Sequence, residues 1–193
     1  MSGIFYGAGV GPGDPEFLTV KALRVMKQCP VIAIPVSDKN FTEAAYDPTG
    51  TDPAYKRYLE KCVAYQIAVQ AGADIGQKAK LYLPMPMMKE KEQLRQVHDE
   101  GAEKTAELLE KGMDVVFITL GDPTVYSTCM YIHKRCTRPV CIFIKGFGNR
   151  DMRQGSYREF LLFVRQRQDW IRALWRTRKN CILSLHPMRL KKD

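Results

Sequence analysis

The sequence predicts an α/β fold with a parallel-rich sheet, and three observations carry that prediction. Two bends rich in Gly, Pro and Asp, Gly9-Val10-Gly11-Pro12-Gly13-Asp14-Pro15 and Leu120-Gly121-Asp122-Pro123-Thr124, each lead from an apolar run into a helical pattern. The run Val115-Val116-Phe117-Ile118-Thr119-Leu120 is almost unbroken in apolar residues, as expected of a strand with helices over both faces. Apolar runs of strand length alternate with segments of helical period over residues 1 to 134, the rhythm of β-α-β units.

Gly3 to Ala8 reads as a short buried strand that runs into the first bend. Leu18 to Gln28 follows as a helix with Leu18, Ala22, Val25 and Met26 on one face, and Val31 to Ile34 is a second strand stopped by Pro35. From Ser37 to Gly50 the chain is polar, with a turn at Asp47-Pro48-Thr49-Gly50 and a helix start at Thr51-Asp52-Pro53. Tyr55 to Ala71 is expected as one amphipathic helix carrying Tyr58, Leu59, Cys62, Val63, Ile67 and Val69. Leu81 to Pro86 reads as a strand broken by its prolines. Glu90 to Lys111 is the clearest helix, with Gly112 placed to cap it, and after the strand ending at Leu120 a further helix should pass through Tyr126, Met130 and Ile132. Beyond residue 135 the alternation fades.

The net charge of +9 over 193 residues suggests nucleic acid at first sight, but it is not spread along the chain. Residues 1 to 134 hold 15 Lys+Arg against 17 Asp+Glu, a net of −2, and residues 135 to 193 hold 15 against 4, a net of +11. The expected division is therefore an α/β domain over 1–134 and an Arg-rich tail over 135–193. Six cysteines show neither paired nor His-interleaved spacing, so no metal site is expected and the thiols read as free in a reducing compartment. No leader-like opening and no apolar run long enough to cross a bilayer is present, which reads as a soluble, cytoplasmic protein.

Glycines in strand-to-helix bends permit positive φ and bring backbone groups close to a ligand, and helix N-termini add oriented amide donors. The spacing excludes a dinucleotide fingerprint, because a G-x-G-x-x-G frame from Gly7 needs glycine where Pro12 stands and one from Gly9 needs it where Asp14 stands. No phosphate-loop Gly-Lys-Ser/Thr follows either. Asp122 can cap the next helix or bind a polar ligand; the same residues also serve as a plain tight connection.

Taken together, the segments GVGPGDPEFLTVKA (residues 9–22), PVS (35–37) and FITLGDPTVYST (117–128) resemble the S-adenosylmethionine-dependent tetrapyrrole methylases. The Tyr126-Ser127-Thr128 ending and Met85-Pro86-Met87 resemble the branch that methylates C20 of precorrin-2 or cobalt-factor-2 in cobalamin biosynthesis. The resemblance covers about residues 3 to 134, with 38 to 76 fitting less well. It implies two α/β domains with S-adenosyl-L-methionine between them, a homodimer, and a tetrapyrrole substrate. Carried over by position, Pro12, Leu120, Gly121, Asp122, Val125, Tyr126 and Ser127 would line the cofactor site. The substrate's acetate and propionate groups should meet Lys or Arg. The sulfonium methyl is already activated, so holding it in line with an electron-rich carbon supplies most of the acceleration. Asp14 and Asp38 are candidates to accept the departing proton, though capping roles suit both. His98 and His133 are expected to face solvent on helices.

The tail departs from the family, which carries a proline-glycine turn and a second domain there. Arg165-Gln166-Arg167-Gln168-Asp169-Trp170, with Arg172, Arg176, Arg178 and Lys179, resembles no part of a methylase. Three readings compete. A shift of reading frame near codon 135 is favoured, since a GC-rich codon run for Val164 to Trp170, read one base out of register, gives consecutive alanines where the family has an alanine-rich helix. On that reading half the cofactor cleft is missing and cofactor binding is weak or absent. The second is a nucleic-acid-binding extension, in which Arg interleaves with Phe160, Phe163, Trp170 and Trp175 on a non-enzymatic α/β fragment. The third is a basic amphipathic helix for a membrane surface or partner.

Overall fold

The computed structural model describes residues 2–86, 90–124, 127–136 and 140–144. They form one six-stranded sheet in the order β3-β4-β2-β5-β1-β6: β1 Ile4–Gly9, β2 Val31–Val36, β3 Ala45–Asp47, β4 Ala79–Pro84, β5 Val115–Thr119 and β6 Val140–Ile144. Every pairing is parallel except that of β3 on β4, which is antiparallel. The expected α/β, parallel-rich sheet is therefore what the chain forms.

Among the described residues five α-helices connect the strands: α1 Val20–Gln28, α2 Lys56–Lys61, α3 Val63–Gln70, α4 Lys91–Glu110 and α5 Cys129–Arg135. Successive strand side chains point to opposite faces, so the apolar runs split into two cores. Ala8, Ile32, Ile34, Val116 and Ile118 pack on one face against Ala22, Val25 and Met26 of α1, Tyr58 of α2 and Tyr65 and Ile67 of α3. Phe5, Val31, Ala33, Val115 and Phe117 pack on the other against Ala102, Leu108 and Leu109 of α4 and Cys129 and Ile132 of α5. Both faces are covered, which is why these strands read as continuous apolar runs rather than alternating ones.

Several details differ from the sequence expectations, the first being that β2 runs through Pro35 to Val36 instead of stopping at the proline. The helix expected over Tyr55–Ala71 is two helices, broken where Cys62 turns extended (φ −82°, ψ 98°). At the break the carbonyl of Leu59 accepts from the Gln66 side-chain amide (2.9 Å) and from the Cys62 amide (3.2 Å). The polar stretch before Gly50 contains β3. The helix expected from Leu18 starts at Val20, with the Thr19 hydroxyl accepting from the Ala22 amide at 3.2 Å as its N-cap. Finally, the sheet runs past residue 134: β6 pairs with β1 from Ile4↔Val140 to Ala8↔Ile144, so the change in charge composition does not coincide with the sheet's edge. The Arg-rich residues from 145 onward lie outside the described residues.

One buried polar knot holds the β3 side of the sheet. Asp47 is buried and accepts from the Thr49 amide and hydroxyl, the Gly50 amide and the Asp52 amide at 2.7–3.0 Å. Lys80 is fully buried, and its ammonium donates to the carbonyls of Gly50, Gly76 and Lys78. The four described free thiols, Cys29, Cys62, Cys129 and Cys136, are all buried. Burial pushes the Cys29 thiol, further raised by Asp114, and the Cys136 thiol up to about 12, so both stay protonated and unreactive at neutral pH.

Candidate functional site

The two bends meet. β1 and β5 are parallel neighbours whose ends are in register, Gly9 opposite Thr119. From there the Val10 amide donates to the Thr119 carbonyl (2.9 Å), and the Gly121 amide donates to the Gly11 carbonyl (2.9 Å). The chain leaving β1 becomes α1 on one face of the sheet, and the chain leaving β5 becomes α5 on the other. Diverging exits of this kind open a crevice at the carboxyl ends of the strands, where doubly wound sheets bind ligands.

Glycine is required on both sides of that junction. Gly11 (φ +85°), Gly13 (φ +150°) and Gly121 (φ +71°) have backbone conformations that side-chain-bearing residues rarely adopt. At Gly13 and Gly121 a Cβ would meet nothing within 4 Å, so the space beside both is open to a ligand, whereas a Cβ at Gly11 would sit 3.2 Å from Phe17 Cβ. The sequence singles out the glycines of these bends for positive φ and close backbone approach, and Gly11 and Gly13 on either side of Pro12 have positive φ.

Each expected site residue has a definite place where it is described. Pro12 is half-buried on the first bend between Gly11 and Gly13, and Leu120 is exposed (49%) beside Gly121. The Asp122 carboxylate accepts from the Thr124 amide (2.8 Å) and hydroxyl (2.7 Å), which sets the second bend, and Pro123 behind it is buried. Ser127 is buried, its hydroxyl within 3.2 Å of Thr119 Oγ1 and accepting from the Cys129 amide at the start of α5. Pro12, Leu120, Gly121, Asp122 and Ser127 thus gather around the ends of β1 and β5. Val125 and Tyr126 lie outside the described residues.

The two carboxylates named as proton acceptors stand at the same edge of the sheet. Asp14 accepts from the Glu16 amide (2.9 Å) and caps a short 3-10 turn, Pro15–Phe17. Asp38 follows β2, accepts from the Asn40 amide (3.0 Å), and its other oxygen faces the Lys61 ammonium at 3.8 Å. Against expectation, His98 is not solvent-facing: it is 3% exposed, because α5 lies along α4 and lays the Tyr131 ring over the imidazole (centroids 4.6 Å apart, 14° between planes). Burial first, and then the nearby Arg135 guanidinium, hold His98 below the usual imidazole range, opposed by Asp99. His133 is half-buried and edge-on to Phe143, with centroids 4.9 Å apart.

The fold defines a doubly wound α/β domain whose two bends meet at the carboxyl edge of the sheet. Comparison with known proteins gives the family: the model of the tetrapyrrole (corrin/porphyrin) methylases matches residues 5–142, and the chain belongs to that family. It is 36% identical over 129 residues to a probable cobalt-precorrin-2 C(20)-methyltransferase of Methanocaldococcus jannaschii, covering 67% of this chain and 45% of that protein. It is 29% identical over 139 residues to the precorrin-2 C(20)-methyltransferase of a Sinorhizobium species, covering 70% of this chain and 51% of that protein. The chain therefore spans about half the length of these relatives. Among solved structures, a putative cobalamin synthesis related protein (CobF) of Corynebacterium diphtheriae shares the fold, with a TM-score of 0.51, 17% identity, and coverage of 83% of this chain and 61% of that one.

Proposed function

We propose that this α/β unit is the donor-binding half of an S-adenosylmethionine-dependent methyltransferase acting at C20 of precorrin-2 or its cobalt form. The observation that carries the reading is the junction of the bends through Gly11 and Gly121 at the β1–β5 crevice, in a chain of the tetrapyrrole methylase family. The residues there suit the cofactor: the gaps where Gly13 and Gly121 lack a Cβ admit close approach of a ligand to backbone groups. Pro12, Leu120, Gly121 and Asp122 would hold it, with Ser127 fixing the start of α5 behind them and Val125 and Tyr126 completing the set. When bound, the cofactor supplies an activated methyl group and needs no acid catalyst from the protein.

The chain's own contribution is positional. The bond between Gly11 and Gly121 locks two exits of the sheet together, so a donor resting against them is presented at a fixed place on the edge. Asp14, on the first bend, is the better proton acceptor of the two candidates, since Asp38 is drawn toward Lys61. The homodimer and the cytoplasmic location stay with this reading.

Titration with S-adenosylhomocysteine tests the cofactor assignment. Binding weaker than micromolar, abolished by Gly121→Val, supports it; no detectable interaction at millimolar ligand contradicts it. Micromolar affinity would instead contradict the shifted reading frame proposed for the tail. The C20 assignment is tested with a hybrid joining residues 1–142 to the remaining half of the Methanocaldococcus jannaschii relative. Transfer of a labelled methyl to C20 of precorrin-2 is expected, and transfer to another carbon would contradict it.

A further inference from the structure

We infer that Thr119 is the positioning residue of the second bend: paired with Ser127, its hydroxyl holds in place the arc of chain that carries Leu120, Gly121 and Asp122. The inference rests on the proposed function and adds to it a residue that acts on the donor site through Ser127.

The first argument is that a hydroxyl stands where the sheet calls for an apolar side chain. Thr119 is the last residue of β5, and with a side-chain period of two it shares the face on which Val115 and Phe117 pack against α4 and α5. It is buried there, 8% exposed. Valine has almost the same shape and would add apolar surface to that core, whereas a buried hydroxyl costs stability unless it is hydrogen-bonded. The branched Cβ also restricts the side chain to few rotamers, so the oxygen is held in a definite direction.

The second argument is what that oxygen meets. The Ser127 hydroxyl, also buried, donates to Thr119 Oγ1 (3.2 Å) and accepts from the Cys129 amide (3.2 Å). A serine hydroxyl has one proton to donate, and here it is directed at Thr119, so Ser127 ties the end of β5 to the start of α5 and pins the bend between them at both ends. The Thr119 carbonyl accepts from the Val10 amide (2.9 Å), and two residues further on the Gly121 amide donates to the Gly11 carbonyl (2.9 Å). Thr119 therefore joins the first bend through its backbone and the far end of the second bend through its side chain.

The test uses the full chain, titrated with S-adenosylhomocysteine and unfolded in urea. Thr119→Val should weaken binding about tenfold, the size expected for one lost buried hydrogen bond. Thr119→Ser keeps the hydroxyl and should bind within about threefold of the unmodified chain, although loss of a buried methyl lowers its urea midpoint. Ser127→Ala should weaken binding at least as much as Thr119→Val, and the double variant should bind no more weakly than Ser127→Ala alone, because the two hydroxyls act as one unit. Affinity that follows the urea midpoint across the variants, additive losses, or unchanged affinity in Thr119→Val would overturn the inference. The amide resonances of Asp122 and Thr124 keep this reading apart from the donor assignment. If the unmodified chain binds no S-adenosylhomocysteine, displacement of these amides by Ser127→Ala and Thr119→Val but not by Thr119→Ser sinks the donor assignment and leaves the positioning role standing. Amides that stay in place in all three variants overturn the positioning role whatever the chain binds.

Discussion

The amide of Gly121 reaches the carbonyl of Gly11 at 2.9 Å, tying together two bends from distant parts of the chain. Neither bend alone distinguishes a binding site from a tight connection. The bond joins the two bends, both glycines have positive φ, and the space beside Gly121 is open.

Gly121→Val should separate function from folding. The left-handed backbone at this position costs a side-chain-bearing residue about 1–2 kcal/mol, and the added bulk points into the open gap rather than the core. Chemical denaturation should show a loss of that size, while S-adenosylhomocysteine binding disappears. A variant that keeps its affinity would show that the gap is not the cofactor site.

Gly50→Ala is the contrasting case. Gly50 also has positive φ (+69°), but a Cβ there would stand 1.8 Å from the Lys78 carbonyl oxygen, inside the knot held by Asp47 and Lys80. Overpacking against backbone adds to the conformational cost, so a destabilisation of about 3 kcal/mol or more is expected in urea unfolding. A loss under about 1 kcal/mol would mean that this turn can shift freely.

Asp47 makes the same region acid-sensitive. Burial alone would raise its pKa, but the Thr49 hydroxyl and the amides of Asp52, Gly50 and Thr49 outweigh burial and hold the carboxyl below the usual range. A carboxyl depressed by folding stabilises the fold above its unfolded value, near 3.8, and that contribution is lost as pH falls further through the folded value. Asp47→Asn keeps the shape and removes the charge, so its stability should fall less than that of the unmodified chain below pH 4. Parallel pH profiles for the two proteins would count against the knot.

His98 acts in a higher pH window. Its folded pKa lies below the ordinary 6.5, so the fold prefers the neutral ring, and stability present above 6.5 is lost as pH falls toward the folded value. The charged groups facing it on α4 and α5 are Arg135 and Asp99, and Arg95 lies beyond Asp99 at 3.9 Å. Urea midpoints between pH 7 and 5 should fall for the unmodified chain and stay flatter for His98→Gln. Equal slopes would show that the imidazole titrates freely.

Much of this molecule was legible because burial on both faces of a parallel sheet leaves a plain mark. The runs at Val31 and Val115 mark central strands of the sheet, and the Gly-Pro-Asp bends after β1 and β5 mark the edge where the two bends meet. What stayed hidden depends on tertiary contacts. The break where Cys62 turns extended interrupts an otherwise helical pattern, and helical periodicity alone does not reveal it. β3 is three residues long and owes its place to β4. His98 looks polar on a helix wheel, but only the arrival of Tyr131 from α5 buries it. β6 was missed because the composition changes before the sheet ends.

Amide resonances of the isotopically labelled chain during titration with S-adenosylhomocysteine test the central claim most directly. If the joined bends grip one donor, Gly11, Gly13, Gly121 and Asp122 will shift together along a single binding curve. Shifts confined to one bend, or no shift in either at millimolar ligand, would contradict it.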